Sequence, residues 1–264
     1  MNLIFTIILG VVQGLTEFLP ISSSGHLILF RSFLNFEGSY GLAVDAVLQL
    51  ATTFAILIYF HKDIYEITRK FFIKKERREG DITAYQIVVA SIPVVIVGYL
   101  LEKYQVLDVA FRNPLLVAGA LIIGSLIMLT TERLYKNRNN LNLKNAFIIG
   151  LFQMLALVPG MSRSGMTISG SLLSGLTREK AAKFSFIVAL PVLFGSGFKK
   201  LYDLWKEGYL NQHSLELIVG ATVSFVVGLF VIRFLIQFLK KSKMDAFAYY
   251  RIALAVVIIL VTVF

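Results

Sequence analysis

The sequence predicts an all-α membrane protein built as an inverted-topology repeat. Each half holds a re-entrant helix-loop-helix hairpin followed by three transmembrane helices. Three observations predict it. First, the 264 residues are 57% hydrophobic and only 16% charged, with a mean hydropathy of +0.75. Soluble domains carry roughly 45–50% apolar and about 25% charged residues. Second, two apolar stretches, 3–30 and 143–176, are each interrupted by Pro, Gly and Ser, as LPISSSGH and VPGMSRSG. Third, the interruptions echo one another at a shift of 140 residues. Gly10 falls on Gly150, Gln13 on Gln153, Ser22 on Ser162, Ser24 on Ser164, Gly25 on Gly165 and Phe54 on Phe194.

A membrane-spanning helix needs about 20 mainly apolar residues. Each half of 3–30 is too short for that, and irregular backbone at membrane depth is tolerated only where protein or a water-filled cavity surrounds it. The segment therefore reads as a hairpin that enters and leaves on one side. Gly41–Phe60 follows as a span. Residues 61–81, HKDIYEITRKFFIKKERREGD, read as a solvated loop or an interfacial helix. Tyr85–Lys103 and Pro114–Thr131 complete the first half. Residues 143–176 form the second hairpin, and Lys183–Phe198, Leu215–Leu239 and Tyr249–Phe264 are its three spans. The chain is one integral membrane domain, 1–264, with repeat one at about 1–131 and repeat two at about 143–264. Three spans per repeat is an odd number, so the second repeat is inverted, with the site at the repeat interface near mid-membrane.

The net charge of +10 belongs to basic loops rather than to a nucleic-acid surface, since no module of that kind is present. There is no cysteine, which excludes disulfides and thiolate metal sites. MNLIFTIILG has no basic leader and no small-residue cleavage site, so it does not read as a removed signal peptide. Loops 61–84, 132–145, 177–183 and 240–248 hold seventeen Lys and Arg against five in 31–40, 104–113 and 199–214. The positive-inside rule then puts both termini outside, the first hairpin open to the outside and the second open to the cytoplasm. Cysteines introduced at Ser39 and Asp108 should label from outside, and one at Glu76 should not.

The interruptions carry the polar chemistry. Gln13 and Glu17 are four apart and share a helix face, and an ionisable group in an apolar stretch is a functional candidate. Its bland alternative is a polar face that wets the hairpin. Ser22, Ser23 and Ser24 lie between Pro20 and Gly25, and their hydroxyls can cap the next half-helix. His26 can take a proton from a serine, making it a nucleophile, or from water. Arg163 offers a planar fork to phosphate or carboxylate, with Ser162, Ser164 and Thr167 as further donors beside a half-helix N-terminus. A structural ion pair with Glu17 is the alternative for Arg163. Glu17 and Gln13 can hold a hard divalent cation through oxygens and water. There is no nucleotide P-loop. The set suits cleavage of a phosphate ester or anhydride at a membrane.

QGLTEFLPISSSGHL, VLQLATTFAILIYFHKDI, ASIPVVIVGYLLE and PGMSRSGMTISGSLLSGLTREKAAKFSFIVALPVLFGSG closely resemble the bacitracin-resistance type of undecaprenyl-diphosphate phosphatase. The resemblance covers essentially the whole chain. Its hallmarks are the Gln13–Glu17 pair and PG-x-SRS-x-x-T from Pro159 to Thr167. It implies hydrolysis of the terminal phosphate of undecaprenyl diphosphate, which yields undecaprenyl phosphate and inorganic phosphate. That recycles the lipid carrier for cell-wall synthesis and confers bacitracin resistance. It also implies a bacterial plasma-membrane location with the site toward the outer side, and a divalent cation, Mg2+ or Ca2+. The partners are a polyprenyl diphosphate and membrane lipids, with a homodimer left open. Carried over, Glu17, Ser23, His26 and Arg163 are catalytic, and Ser162, Arg163, Ser164 and Thr167 bind phosphate. Glu17 and Gln13 hold the metal, although Gln13 stands where some members have Glu, so two carboxylate ligands are not assured. Whether Ser23 or His26 attacks phosphorus stays open. The rival readings are an inverted-repeat transporter or flippase for a polyprenyl phosphate, and a type-2 phosphatidic acid phosphatase. The second of these lacks its histidine six residues after Arg163, where Ser169 stands.

Overall fold

The computed structural model describes residues 3–33, 41–73, 81–104, 113–138 and 141–263. Ser39, Glu76 and Asp108 lie outside the described residues. Among the described residues the chain is helical, with no strand. The elements are α1 (Leu3–Thr16), α2 (Ser23–Phe33), α3 (Gly41–Tyr59), α4 (His61–Phe72), α5 (Ala84–Lys103), α6 (Pro114–Leu134), α7 (Leu143–Leu155), α8 (Arg163–Leu173), α9 (Arg178–Lys206), α10 (Tyr209–Gln212), α11 (Ser214–Lys241) and α12 (Asp245–Val263).

Among the described residues, five helices, α5, α6, α9, α11 and α12, are long and apolar enough to cross a membrane, and α3 with α4 makes a sixth apolar unit bent by 71°. The chain is thus a multi-pass helical membrane protein. Residues 61–72 are a helix rather than a loop. The helix buries Ile67 while Lys62, Asp63, Glu66, Arg69 and Lys70 line its other sides, and it turns sharply away from α3, as an interfacial helix does. α9 is the largest departure from the expected spans. It runs for 29 residues, beyond Lys183–Phe198 at both ends. Hydropathy registers only its apolar middle. The helix continues into polar surroundings because Thr177 caps its start, accepting from the Lys180 N–H at 3.3 Å. Arg178 also meets the buried Glu132 of α6 in a partly buried two-point pair, with Nη2 at 2.6 Å from Oε2 and Nε at 3.1 Å from each oxygen.

Small residues set the helix packing, as expected where lipid removes the hydrophobic drive between helices. A Cβ on Gly10 of α1 would lie 2.6 Å from the Gly220 carbonyl oxygen of α11, and one on Gly14 would lie 2.8 Å from that of Ser224. α7 lies as closely on α5, where a Cβ on Gly150 would meet the Ala90 carbonyl oxygen at 2.5 Å. α9 runs through the middle, against α3, α5, α8 and α11. α8 is buried from Ser164 to Leu172. At the first interruption Phe18, Pro20, Ile21 and Ser22 are likewise buried, so the polar breaks in both segments are largely enclosed by protein.

Candidate active site

Both hairpin tips turn on a serine. Ser22 (φ 73°) and Ser162 (φ 69°) are the only non-glycine residues with positive φ among the described residues. That backbone is unfavourable for an L-residue by about 1–2 kcal/mol. Each hydroxyl offsets part of the cost by capping the helix that follows. Ser22 Oγ accepts from the Gly25 N–H at 3.4 Å and Ser162 Oγ from the Gly165 N–H at 3.2 Å. Each also pairs with the serine two residues on, Ser24 at 3.0 Å and Ser164 at 3.2 Å.

The tips interlock. The Gly160 N–H donates to Ser24 Oγ at 3.1 Å, and Ser164 Oγ donates to the Leu19 carbonyl at 3.1 Å. The first turns of α2 and α8 thus converge. The positive ends of two helix dipoles meet there, an arrangement that favours an anion.

Glu17 sits at this junction and is only 5% exposed. Its Oε2 accepts from Gln13 Nε2 at 2.9 Å and from Ser23 Oγ at 2.9 Å. Its Oε1 accepts from Arg163 Nη2 at 3.1 Å and from Gln49 Nε2 at 3.5 Å. Arg163 gives its Nη1 to the Ser185 carbonyl at 3.4 Å, while its buried Nε has no partner. Of the expected residues, Gln13, Glu17, Ser23 and Arg163 therefore form one contact set. Ser162, Ser164 and Thr167 lie beside it with their hydroxyls committed to the protein. Thr167 Oγ1 donates to the Arg163 carbonyl at 2.7 Å, and the two serines cap the turn and bind the other tip.

His26 and Ser23 share no hydrogen bond. The His26 Nδ1 lies 2.7 Å from the Ser22 carbonyl and its Nε2 lies 2.7 Å from the Tyr250 hydroxyl. A carbonyl only accepts, so Nδ1 carries the hydrogen and, in the neutral ring, Nε2 accepts from Tyr250. The reason is local geometry. At four residues' spacing the imidazole folds back on its own turn, which leaves Ser23 facing Glu17. Three residues went unnoticed in the sequence. Gln49 was signalled by an amide inside VLQLATTF, Tyr250 by nothing but its neighbour Arg251, and Ser185 acts through its backbone.

The donor set decides how a cation fits. Among the described residues no group of three His, Cys, Asp or Glu could hold a metal, and the one carboxylate already faces a guanidinium. The described carboxylates and imidazoles thus do not enclose a metal ion by themselves. That fits the habit of Mg2+, which takes one or two carboxylates and completes its shell with substrate phosphates and water.

Fold and site together define a class: a polytopic helical membrane protein whose carboxylate, hydroxyl and guanidinium are enclosed where two interrupted hairpins touch. The chain belongs to the bacitracin resistance protein BacA family, whose model matches residues 6–257. It is similar to proteins named undecaprenyl-diphosphatase. That of Chloroherpeton thalassium is 40% identical, over 97% of this chain and 95% of its own. That of Thermobifida fusca is 40% identical, over 98% and 90%. That of Corynebacterium glutamicum (strain ATCC 13032) is 43% identical, over 97% and 89%.

Proposed function

We propose that the chain hydrolyses the terminal phosphate of undecaprenyl diphosphate to undecaprenyl phosphate and inorganic phosphate, recycling the carrier lipid for cell-wall synthesis and conferring resistance to bacitracin. Family membership supports the substrate. One observation carries the chemistry: Glu17 holds Ser23 on one oxygen at 2.9 Å and Arg163 on the other at 3.1 Å. Ser23 Oγ attacks the terminal phosphorus and its proton passes to Glu17 Oε2. The bond between that phosphorus and the bridging oxygen breaks, and undecaprenyl phosphate leaves with the bridging oxygen. Water then cleaves the Ser23–phosphate bond, inorganic phosphate departs and Ser23 regains its proton. Arg163 brings its unspent Nε–H and its charge to the phosphate oxygens. Ser162, Ser164 and Thr167 hold α8 so that its N-terminus faces the anion. His26 orients the Ser22 turn rather than attacking. Glu17 and Gln13 would be the residues that hold a Mg2+ or Ca2+. Such an ion neutralises charge on the phosphate oxygens.

The inverted repeat is part of this reading. Its support is that α1 on α11 mirrors α7 on α5, and that the two positive-φ serines, Ser22 and Ser162, stand 140 residues apart. The loop charges support termini and site on the outer side of the plasma membrane.

The test is phosphate release from undecaprenyl diphosphate by purified protein in detergent, with and without a chelator. Release that stops on chelation and returns with Mg2+ or Ca2+ is expected. Absence of release in detergent, with lipid movement across vesicles, would make the chain a flippase instead.

A further inference from the structure

Two adjacent residues of α12 reach the two hairpins separately. Tyr250 stacks on His26, with ring centroids 5.6 Å apart and planes 6° from parallel. Its hydroxyl donates to Nε2, while Nδ1 donates to the Ser22 carbonyl of the first tip. Arg251 is fully buried. Its Nη2 donates to the Gly160 carbonyl of the second tip at 2.9 Å and to the Leu121 carbonyl at 3.4 Å, and Nη1 lies 3.1 Å from Met128 Sδ. No ion pair reaches it from the described residues, and its buried Nε has no partner. Space is cleared for it. A Cβ on Gly124 would come within 2.2 Å of Nη2, and one on Gly165 within 3.1 Å of Nη1.

An arginine buried with only neutral acceptors is expensive, and such a residue marks a task. The task follows from how the site is divided. Glu17 and Ser23 belong to one hairpin and Arg163 to the other. Apart from the ion pair itself, the tips are joined by two neutral hydrogen bonds, Gly160 to Ser24 and Ser164 to Leu19, each worth about 1 kcal/mol. Gly160 is also the residue that Arg251 grips from the far side.

We propose that Tyr250 and Arg251 form a clasp that sets the register of the two hairpin tips, so that Glu17 and Ser23 face Arg163. They are positioning residues. Tyr250 acts through His26 on the Ser22 turn, and Arg251 acts through the Gly160 carbonyl on the second turn. The kinetic part of the test rests on the phosphatase reading above, and the other parts do not.

The experiment uses the purified full chain in detergent as wild type, Tyr250→Phe and Arg251→Lys. Each is also combined with Glu17→Gln, Arg163→Met and both. In wild type the two site substitutions should couple strongly in melting temperature, because they share one ion pair. In the clasp variants that coupling should fall to about half or less, since the pair is no longer held in register. A substitution that merely weakens folding lowers every melting temperature alike and leaves the coupling unchanged. Tyr250→Phe should also shift the imidazole nitrogen resonances of His26 and leave His61 and His213 in place. Turnover of undecaprenyl diphosphate should fall by about 10²-fold in Arg251→Lys, the scale of a misplacement near 1 Å. Tyr250 is half-exposed, so its variant keeps the idea testable if Arg251→Lys does not fold. Wild-type coupling together with unmoved His26 signals would overturn the clasp. If wild type itself releases no phosphate, the phosphatase reading fails, and the clasp is still judged on coupling and resonances.

Discussion

Replacing Glu17 with Gln keeps the size and polarity of the side chain and removes one charge. In the native site four donors converge on two oxygens: Gln13 and Ser23 on Oε2, Arg163 and Gln49 on Oε1. An amide has one oxygen and one NH2 group, so whichever way it turns its hydrogens confront a pair of donors. Opposite unit charges 3.1 Å apart interact by about 5 kcal/mol at an effective dielectric near 20. Removing one partner of a buried pair costs about 3–5 kcal/mol, chiefly because the other charge is left alone. The expected result is a melting midpoint lowered by on the order of 10 °C and turnover reduced by at least about 10²-fold. The assays are thermal unfolding in detergent and phosphate release with a magnesium titration on the same preparation. Adding Arg163→Met removes the stranded guanidinium, so the double variant should regain most of the lost midpoint and none of the activity. If Glu17→Gln instead melts like wild type and only its magnesium requirement rises, the carboxylate serves the cation first and the ion-pair account is wrong.

Packing gives a second expectation. Gly150→Ala should cost about 1–3 kcal/mol, because its Cβ meets the Ala90 backbone, whereas Gly119→Ala and Gly195→Ala, which have nothing within 4 Å, should melt like wild type. Glu132→Ala strands Arg178 and the Met244 N–H, which donates to Glu132 at 3.0 Å, and should lower the midpoint markedly. Glu102→Ala, which breaks an exposed pair with Lys199, should change stability by less than about 1 kcal/mol.

The two turns were legible because Pro20, Pro159 and five serines interrupt apolar sequence, and such a break translates directly into a turn. Glu17 and Arg163 were legible for the same reason. Helix lengths were less so. α9 continues past its apolar middle on a threonine cap and the Arg178–Glu132 pair, and a hydropathy window registers neither. The partner of His26 was not legible at all. Tyr250 lies 224 residues further along the chain, and only tertiary packing brings the rings together, while the serine beside His26 in sequence turns the other way. Arg251 carried a visible signal, one charge in a long apolar run, but without the fold its acceptors, all neutral, had no trace in the sequence.

The crossed packing of the hairpins has a consequence for how the molecule is made. α1 leaves the ribosome well before α11, yet the glycine face it presents has its seat on α11. Gly10 must wait for Gly220 and Gly14 for Ser224, in each case 210 positions away. At roughly 5–20 residues per second that is a delay on the order of 10–40 s, during which a short apolar helix and a serine-rich turn are without their lock. α5 likewise holds its Ala90 face open until α7 is synthesised. α1 and α5 are therefore each completed by a helix made much later in the chain. A nascent chain that stalls before α11 therefore leaves the Gly10 and Gly14 face of α1 without its seat.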